Sequence, residues 1–158
     1  MRIDCYVDAD FVGLLGYEDK QDSYCVKSRT GYVIYIYSCL VVWVSKLQSD
    51  IATSTMEAKY NALSMAMRNV LPLKHLVKEI SNAIGLPNND GTGFVTIVHE
   101  DNNGALKIAT MKPGQMTPRS KHYGVKYHWF CSQLKPNNIT IKQVDTDKQQ
   151  ADFLTKAL

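Results

Sequence analysis

Cysteine is scarce in this chain and carries no pattern. The four residues, Cys5, Cys25, Cys39 and Cys131, form no Cys-x-x-Cys pair and no Cys/His grouping with zinc-ligand spacing. A disulfide framework and a structural zinc site are therefore excluded, and reduced thiols in an intracellular setting are expected. Long apolar runs are lacking as well: the densest, from Tyr32 to Val44, is broken at Ser38 and is too short to cross a bilayer. Arg2 and Asp4 fall where a signal peptide would need its apolar segment, so neither a membrane nor a secreted role is expected. Acid is scarce in one half only. Residues 1–103 carry 9 basic and 12 acidic side chains, residues 104–158 carry 9 basic and 3 acidic. That asymmetry suits carboxylates that hold hard cations beside a basic track for a polyanion, and equally a solvated surface with chance patches. No internal repeat or low-complexity tract occurs.

What is present is an ordinary globular composition, 158 residues with 45% apolar side chains. A chain of this length buries roughly two thirds of its unfolded surface, enough for one domain spanning residues 1–158 without a covalent staple. From Arg2 to Phe11 the residues alternate, with Ile3, Cys5, Val7, Ala9 and Phe11 on one face and Asp4, Tyr6, Asp8 and Asp10 on the other, which predicts a half-buried strand. Residues 12–30 read as a long loop. Gly31–Ile36 and Val41–Lys46 form a hairpin of β-branched and aromatic strands. Ser54 to Glu57 is a capping box that opens a helix. Pro72 predicts a second helix or a kinked continuation from there to Ile84, with Gly85 and Pro87 ending it. Phe94–His99 is a central strand, and Asp101 and Asn102 open a helix through Ile108. A loop over 111–118, a basic helix Arg119–Leu134, a strand Ile139–Val144 and a final helix Gln149–Lys156 complete the chain. The order predicts an α/β fold whose mixed sheet has helices on both faces.

Four acids stand where elements begin, end or cross: Asp8, Glu57, Asp101 and Asp152. Each has a plain structural explanation: solvent face of a strand, capping-box acid, N-cap, helix surface. In an open α/β sheet, however, ligands gather beyond the carboxyl ends of the strands, where helix N-termini also open. Acids crowded there repel one another unless cations bridge them. Two Mg²⁺ ions about 4 Å apart on carboxylates could activate a water and stabilise the leaving oxygen of a phosphodiester, with Mn²⁺ as a substitute.

Seven strings now carry a family resemblance: Tyr-Val-Asp-Ala-Asp-Phe-Val-Gly (6–13), Lys-Ser-Arg-Thr-Gly-Tyr (27–32), Trp-Val-Ser-Lys-Leu-Gln (43–48), Ser-Thr-Met-Glu-Ala-Lys-Tyr-Asn-Ala-Leu (54–63), Glu-Asp-Asn-Asn-Gly-Ala (100–105), Ser-Lys-His-Tyr-Gly-Val-Lys-Tyr-His-Trp-Phe (120–130) and Ala-Asp-Phe-Leu-Thr-Lys (151–156). In this order they resemble the ribonuclease H domain of copia-type LTR retrotransposon polyproteins, over nearly the whole chain. The resemblance implies an RNase H-like fold: a five-stranded mixed sheet, an antiparallel meander of strands 1–3 followed by parallel strands. It also implies hydrolysis of the RNA strand of RNA/DNA hybrids by two metal ions. It selects Asp8 over Asp10 as first metal ligand, and matches Glu57 to the first acid of a Glu-Ala-Glu-Tyr pattern, Asp101 to an Asp-Asn pattern and Asp152 to the final Ala-Asp helix. Three positions depart from the family. Lys59 replaces the second acid of Glu-Ala-Glu-Tyr, Gly124 an Asp that follows Lys-His, and Gln150 an apolar residue before Ala151. No His lies between Asp145 and Gln149, where cellular relatives carry a mobile one, which leaves His122 as its substitute.

A hybrid is told from other duplexes by shape and by 2′-OH contacts, which small polar side chains can make. Thr53 and Ser54 before Glu57, and Asn102 and Asn103 after Asp101, are the candidates, with helix capping the competing role of Ser54 and Asn102. Ser28, Arg29 and Thr30 are candidates for a DNA-strand phosphate. Arg119, Lys121 and Lys126 on the basic helix are the expected backbone track. Trp43 and Trp129 are expected in the core. The expected partners are the RNA/DNA hybrid and the reverse transcriptase domain of the same polyprotein, with no membrane and a monomeric state for the domain alone. Two rivals remain: a catalytically silent hybrid-binding domain, and another two-metal nuclease of the same fold, such as a junction resolvase or an integrase core.

Overall fold

A computed structural model describes residues 2–13, 22–85, 94–111 and 124–156. Five strands form one mixed sheet: β1 (Arg2–Asp10), β2 (Arg29–Ile36), β3 (Cys39–Leu47), β4 (Val95–Glu100) and β5 (Ile139–Gln143), in the order β3-β2-β1-β4-β5. β1 to β3 are an antiparallel meander, and β4 and β5 join parallel to β1 and to each other. The β2–β3 turn is closed by Tyr37 and Ser38, both at positive φ (49° and 66°), as a two-residue hairpin turn with the twist of its strands requires.

Alternation decides which face of the sheet is covered. Ile3, Cys5 and Val7 are fully buried on one face of β1, and there lie α1 (Thr55–Ala83), α2 (Asn103–Thr110) and α3 (Gly124–Leu134), which also touch one another. Tyr60, Leu63, Met67 and Val70 of α1 and Phe130 of α3 fill this core. The opposite face meets the short 3-10 turn Asp152–Leu154 at its Asp8 end. At the far end of that face Tyr6 stacks on His99 at 4.3 Å, and Asp4 binds Arg2 and His99.

The structure chooses between the two expectations at Pro72 and departs from the sequence reading at two further places. α1 continues through Pro72 as one helix. Pro72 is solvent-exposed, so the carbonyl its missing N–H would have satisfied faces water, and the packed apolar stripe carries the helix past it. Residues 149–156 form no α-helix. The Gln149 side chain donates to the Val7 carbonyl (2.9 Å), and the chain folds into tight turns against β1 and β2. Trp43 is 64% exposed, because β3 is an edge strand whose Val42 and Val44 take the inward positions. Trp129 is partly buried against the core.

Candidate acid site and nucleic-acid groove

β1 and β4 run parallel, so Asp8 near the end of one and Asp101 just after the other reach the same edge of the sheet. Between them stands a lysine. Lys59 Nζ donates to Asp8 Oδ1 at 2.6 Å and to Asp101 Oδ1 at 2.5 Å, and all three residues are largely shielded from solvent. The second Asp8 oxygen accepts from Thr155 Oγ1 at 2.6 Å. Burial works against the Lys59 ammonium, but the hydrogen bonds to Asp101 and Asp8 outweigh it and hold its pKa above the usual lysine value. Next to this group Glu100 is completely buried, with one carboxyl oxygen that has no partner among the described residues, and burial pushes its pKa well above the usual carboxylate range.

Glu57 is not brought to this site. Its carboxylate accepts from the Thr53 backbone N–H and hydroxyl, each at 2.7 Å, while its own N–H donates to Ser54 Oγ at 3.2 Å. That is a capping arrangement displaced by one residue. The physical reason is helix geometry: two positions turn a helix by about 200°, so residues 57 and 59 face opposite ways. Burial of Lys59, Leu63, Ala66 and Val70 turns the 59 side inward. The structure thus places the Glu57 carboxylate at the start of α1, and the position directed at the acids is 59. The apolar stripe of Met56, Tyr60, Leu63 and Met67 lies nearer 59 than 57 on the helix, but that the 59 side reaches Asp8 and Asp101 is set by the packing of α1 on the sheet.

Asp152 lies at the same edge but pairs with Lys156. Asp10 is on that rim too, and burial first, then the charges of Asp8 and Asp152, push its pKa upward. Among the described residues no three of His, Cys, Asp and Glu come together as a metal-holding group. The four-acid, two-Mg²⁺ set does not fit these side chains, since an ammonium takes the ground between Asp8 and Asp101.

The other predicted contacts divide. Ser54 and Asn102 are helix caps, Asn102 Oδ1 accepting from Ala105 N at 2.9 Å. Thr53 holds Glu57, and Asn103 is exposed at the start of α2. Ser28 and Thr30 are both 0% exposed, and the Thr30 hydroxyl accepts from Gln48 Nε2 at 2.9 Å, so neither reaches a phosphate. Arg29 does face solvent, beside Ser45. Lys126 binds Asp50 and Asn61, tying α3 to α1 and the loop before it. Arg119, Lys121 and His122 lie outside the described residues.

A groove that sequence reasoning missed opens beside Arg29. It holds about 510 Å³ and is lined by Tyr24, Lys27, Arg29, Ser45, Lys46 and Ser49 among others, with no carboxylate among the described residues of its wall. The Lys27 ammonium lies 4.4 Å from the Tyr24 ring centroid. Register explains its position: Arg29 pairs with Asp10 on one side and Leu47 on the other, and Lys46 pairs with Thr30, so the cations share a sheet end with Asp8. Only the strand pairing brings Lys27, Arg29 and Lys46 together, although Lys27 and Lys46 stand within the strings 27–32 and 43–48.

Comparison with solved structures agrees with this architecture. The chain superposes on LC11-RNase H1, isolated from compost by a metagenomic approach, with a TM-score of 0.61 at 16% identity, covering 97% of this chain and 91% of that one. The N-terminal RNase H domain of rv2228c from Mycobacterium tuberculosis gives a TM-score of 0.61 at 15% identity, covering 98% and 90%. The fold is that of the RNase H class. No protein-family model matches the chain. In sequence it is 29% identical over 153 residues to the retrovirus-related Pol polyprotein from transposon TNT 1-94 of Nicotiana tabacum, covering 97% of this chain and 10% of that polyprotein. It is 27% identical over 158 residues to that from transposon RE1 of Arabidopsis thaliana, covering 100% and 10%. The chain thus has the RNase H fold and is similar in sequence to retrotransposon Pol polyproteins, spanning about a tenth of the length of these curated relatives.

Proposed function

We propose that this chain binds RNA/DNA hybrids for a Pol polyprotein, beside its reverse transcriptase domain, and that with its present side chains it holds the hybrid without cutting it. The observation that carries the reading is the groove in which Lys27, Arg29 and Lys46 come together, at the same sheet end as the Asp8–Lys59–Asp101 group. Cations there can follow a phosphate backbone of the hybrid. A neighbour in fold, LC11-RNase H1, has been solved in complex with an RNA/DNA hybrid. The second reading is hydrolysis of the RNA strand with Mg²⁺ or Mn²⁺. Asp8, Asp101 and Asp152 at one edge favour it, and the ammonium between two of them opposes it.

The test combines binding and cleavage of labelled hybrid, duplex RNA and duplex DNA, with Mg²⁺, Mn²⁺ or chelator. Selective retention of hybrid and intact strands are expected under all three conditions. Replacing Lys27 and Lys46 by Ala should weaken hybrid binding and lower the slope of log K against log salt by about 2, since each phosphate contact contributes roughly 0.9. Metal-dependent cutting confined to the RNA strand would instead establish the hydrolase reading. Equal binding of all three duplexes would refute hybrid recognition.

A further inference from the structure

Lys59 lies on this edge between two carboxylates, and the chain supplies that cation itself. We propose that the Lys59 ammonium is the built-in counter-ion of the site, holding Asp8 and Asp101 together and excluding a divalent ion from between them. Two carboxylates side by side repel unless a positive charge lies between them. Here Nζ donates to one oxygen of each, at 2.6 and 2.5 Å. Both Asp8 oxygens are engaged, Oδ1 by Lys59 and Oδ2 by Thr155. A hard divalent ion needs oxygen ligands with free lone pairs in near-octahedral order, and would stand against an ammonium already at hydrogen-bond distance. The lysine is not poised to leave. It is 9% exposed on a helix locked by the burial of Tyr60, Leu63 and Met67, and its departure would leave two carboxylates unpaired in a shielded place.

Charge sign at position 59 therefore decides what the edge can hold. An acid there would face Asp8 and Asp101 from the same helix position and complete a group of three carboxylates, whereas Glu57, half a turn away, cannot. This deepens the proposal of binding without cutting by naming the side chain that prevents cutting, but it is tested without nucleic acid, so the two can fail separately.

The experiment is a titration of the whole chain with Mg²⁺, read by Tm, and with Mn²⁺, read by paramagnetic broadening of amide resonances. For the native chain, a Tm unchanged through the millimolar range and no selective broadening around Asp8 and Asp101 are expected. Lys59→Glu should show selective broadening there and a Tm that rises roughly 5–10 °C at a metal concentration a hundred times Kd. Saturable broadening around Asp8 and Asp101 in the native chain would overturn the proposal. So would a folded Lys59→Glu chain that takes no Mn²⁺, because the ammonium would then not be what excludes the ion. If Lys59→Glu does not fold, the native titration decides alone.

Discussion

At the scale of single residues, a carboxylate at 57 and an ammonium at 59 divide two tasks that a linear reading merges. Glu57 closes the start of α1 through Thr53 and Ser54. Lys59 reaches the sheet edge. Glu57→Ala should therefore lower stability by about 1 kcal/mol, the usual worth of a cap, with a Tm lower by about 2–4 °C and hybrid affinity unchanged. Loss of hybrid binding in that variant would return Glu57 to the interface. At the other end of β1, hydrogen bonds from Arg2 and His99 hold the Asp4 carboxyl below its usual pKa despite burial, which acts to raise it. A depressed pKa gives stability that is present above 3.8, its unfolded value, and lost as pH falls through the folded one. The Tm difference between the native chain and Asp4→Asn should therefore shrink from about pH 5 downward. A constant difference would show that Asp4 acts through packing alone.

Among the elements, the terminal turn shows how a missing side chain places an acid. A Cβ on Gly31 would lie 2.8 Å from Thr155 Cγ2, 2.9 Å from Leu154 Cβ and 3.0 Å from the Ala151 carbonyl oxygen. Gly31 pairs with Asp8 across β1 and β2, so its bare backbone is what lets the turn bearing Asp152 and Thr155 sit down beside Asp8. Gly31→Ala should cost about 1–3 kcal/mol and speed hydrogen exchange at residues 151–155 while the β1–β2 core stays protected. Unchanged exchange in that turn would mean that the turn is held by Gln149 and Ser45 instead. The strands and the start of α1 were legible from alternation and from the capping box because those signals are local. Which of the two expectations at Pro72 holds, a second helix or a continuation, was not, because packing of the apolar stripe decides it against one lost hydrogen bond. Nor was the absence of a final helix, where the Gln149 contact with Val7 spans 142 positions.

For the whole molecule, charge along the chain and charge in space differ. The basic second half pointed to the Arg119–Leu134 helix as the polyanion track; of its three candidate cations Lys126 binds Asp50 and Asn61, and Arg119 and Lys121 lie outside the described residues. The groove beside Arg29 brings together Lys27, Arg29 and Lys46 of the acidic half. Antiparallel pairing of β1 with β2 and of β2 with β3 carries those cations to the end where β1 delivers Asp8. A sheet so arranged presents cations and acids side by side on one edge, and the cations are what the proposed hybrid contact uses.

By itself the sequence determined the α/β class, the five strands, the meander, the caps Ser54 and Asn102, and the presence of Asp8 and Asp101 at element ends, all of which follow from periodicities within a few residues. Only the tertiary structure decided that position 59 rather than 57 meets those acids, because the rotation of α1 is set by which of its faces buries Tyr60, Leu63 and Met67 against the sheet. It decided likewise which cations share a groove, because strand register alone joins residues that lie far apart in the chain.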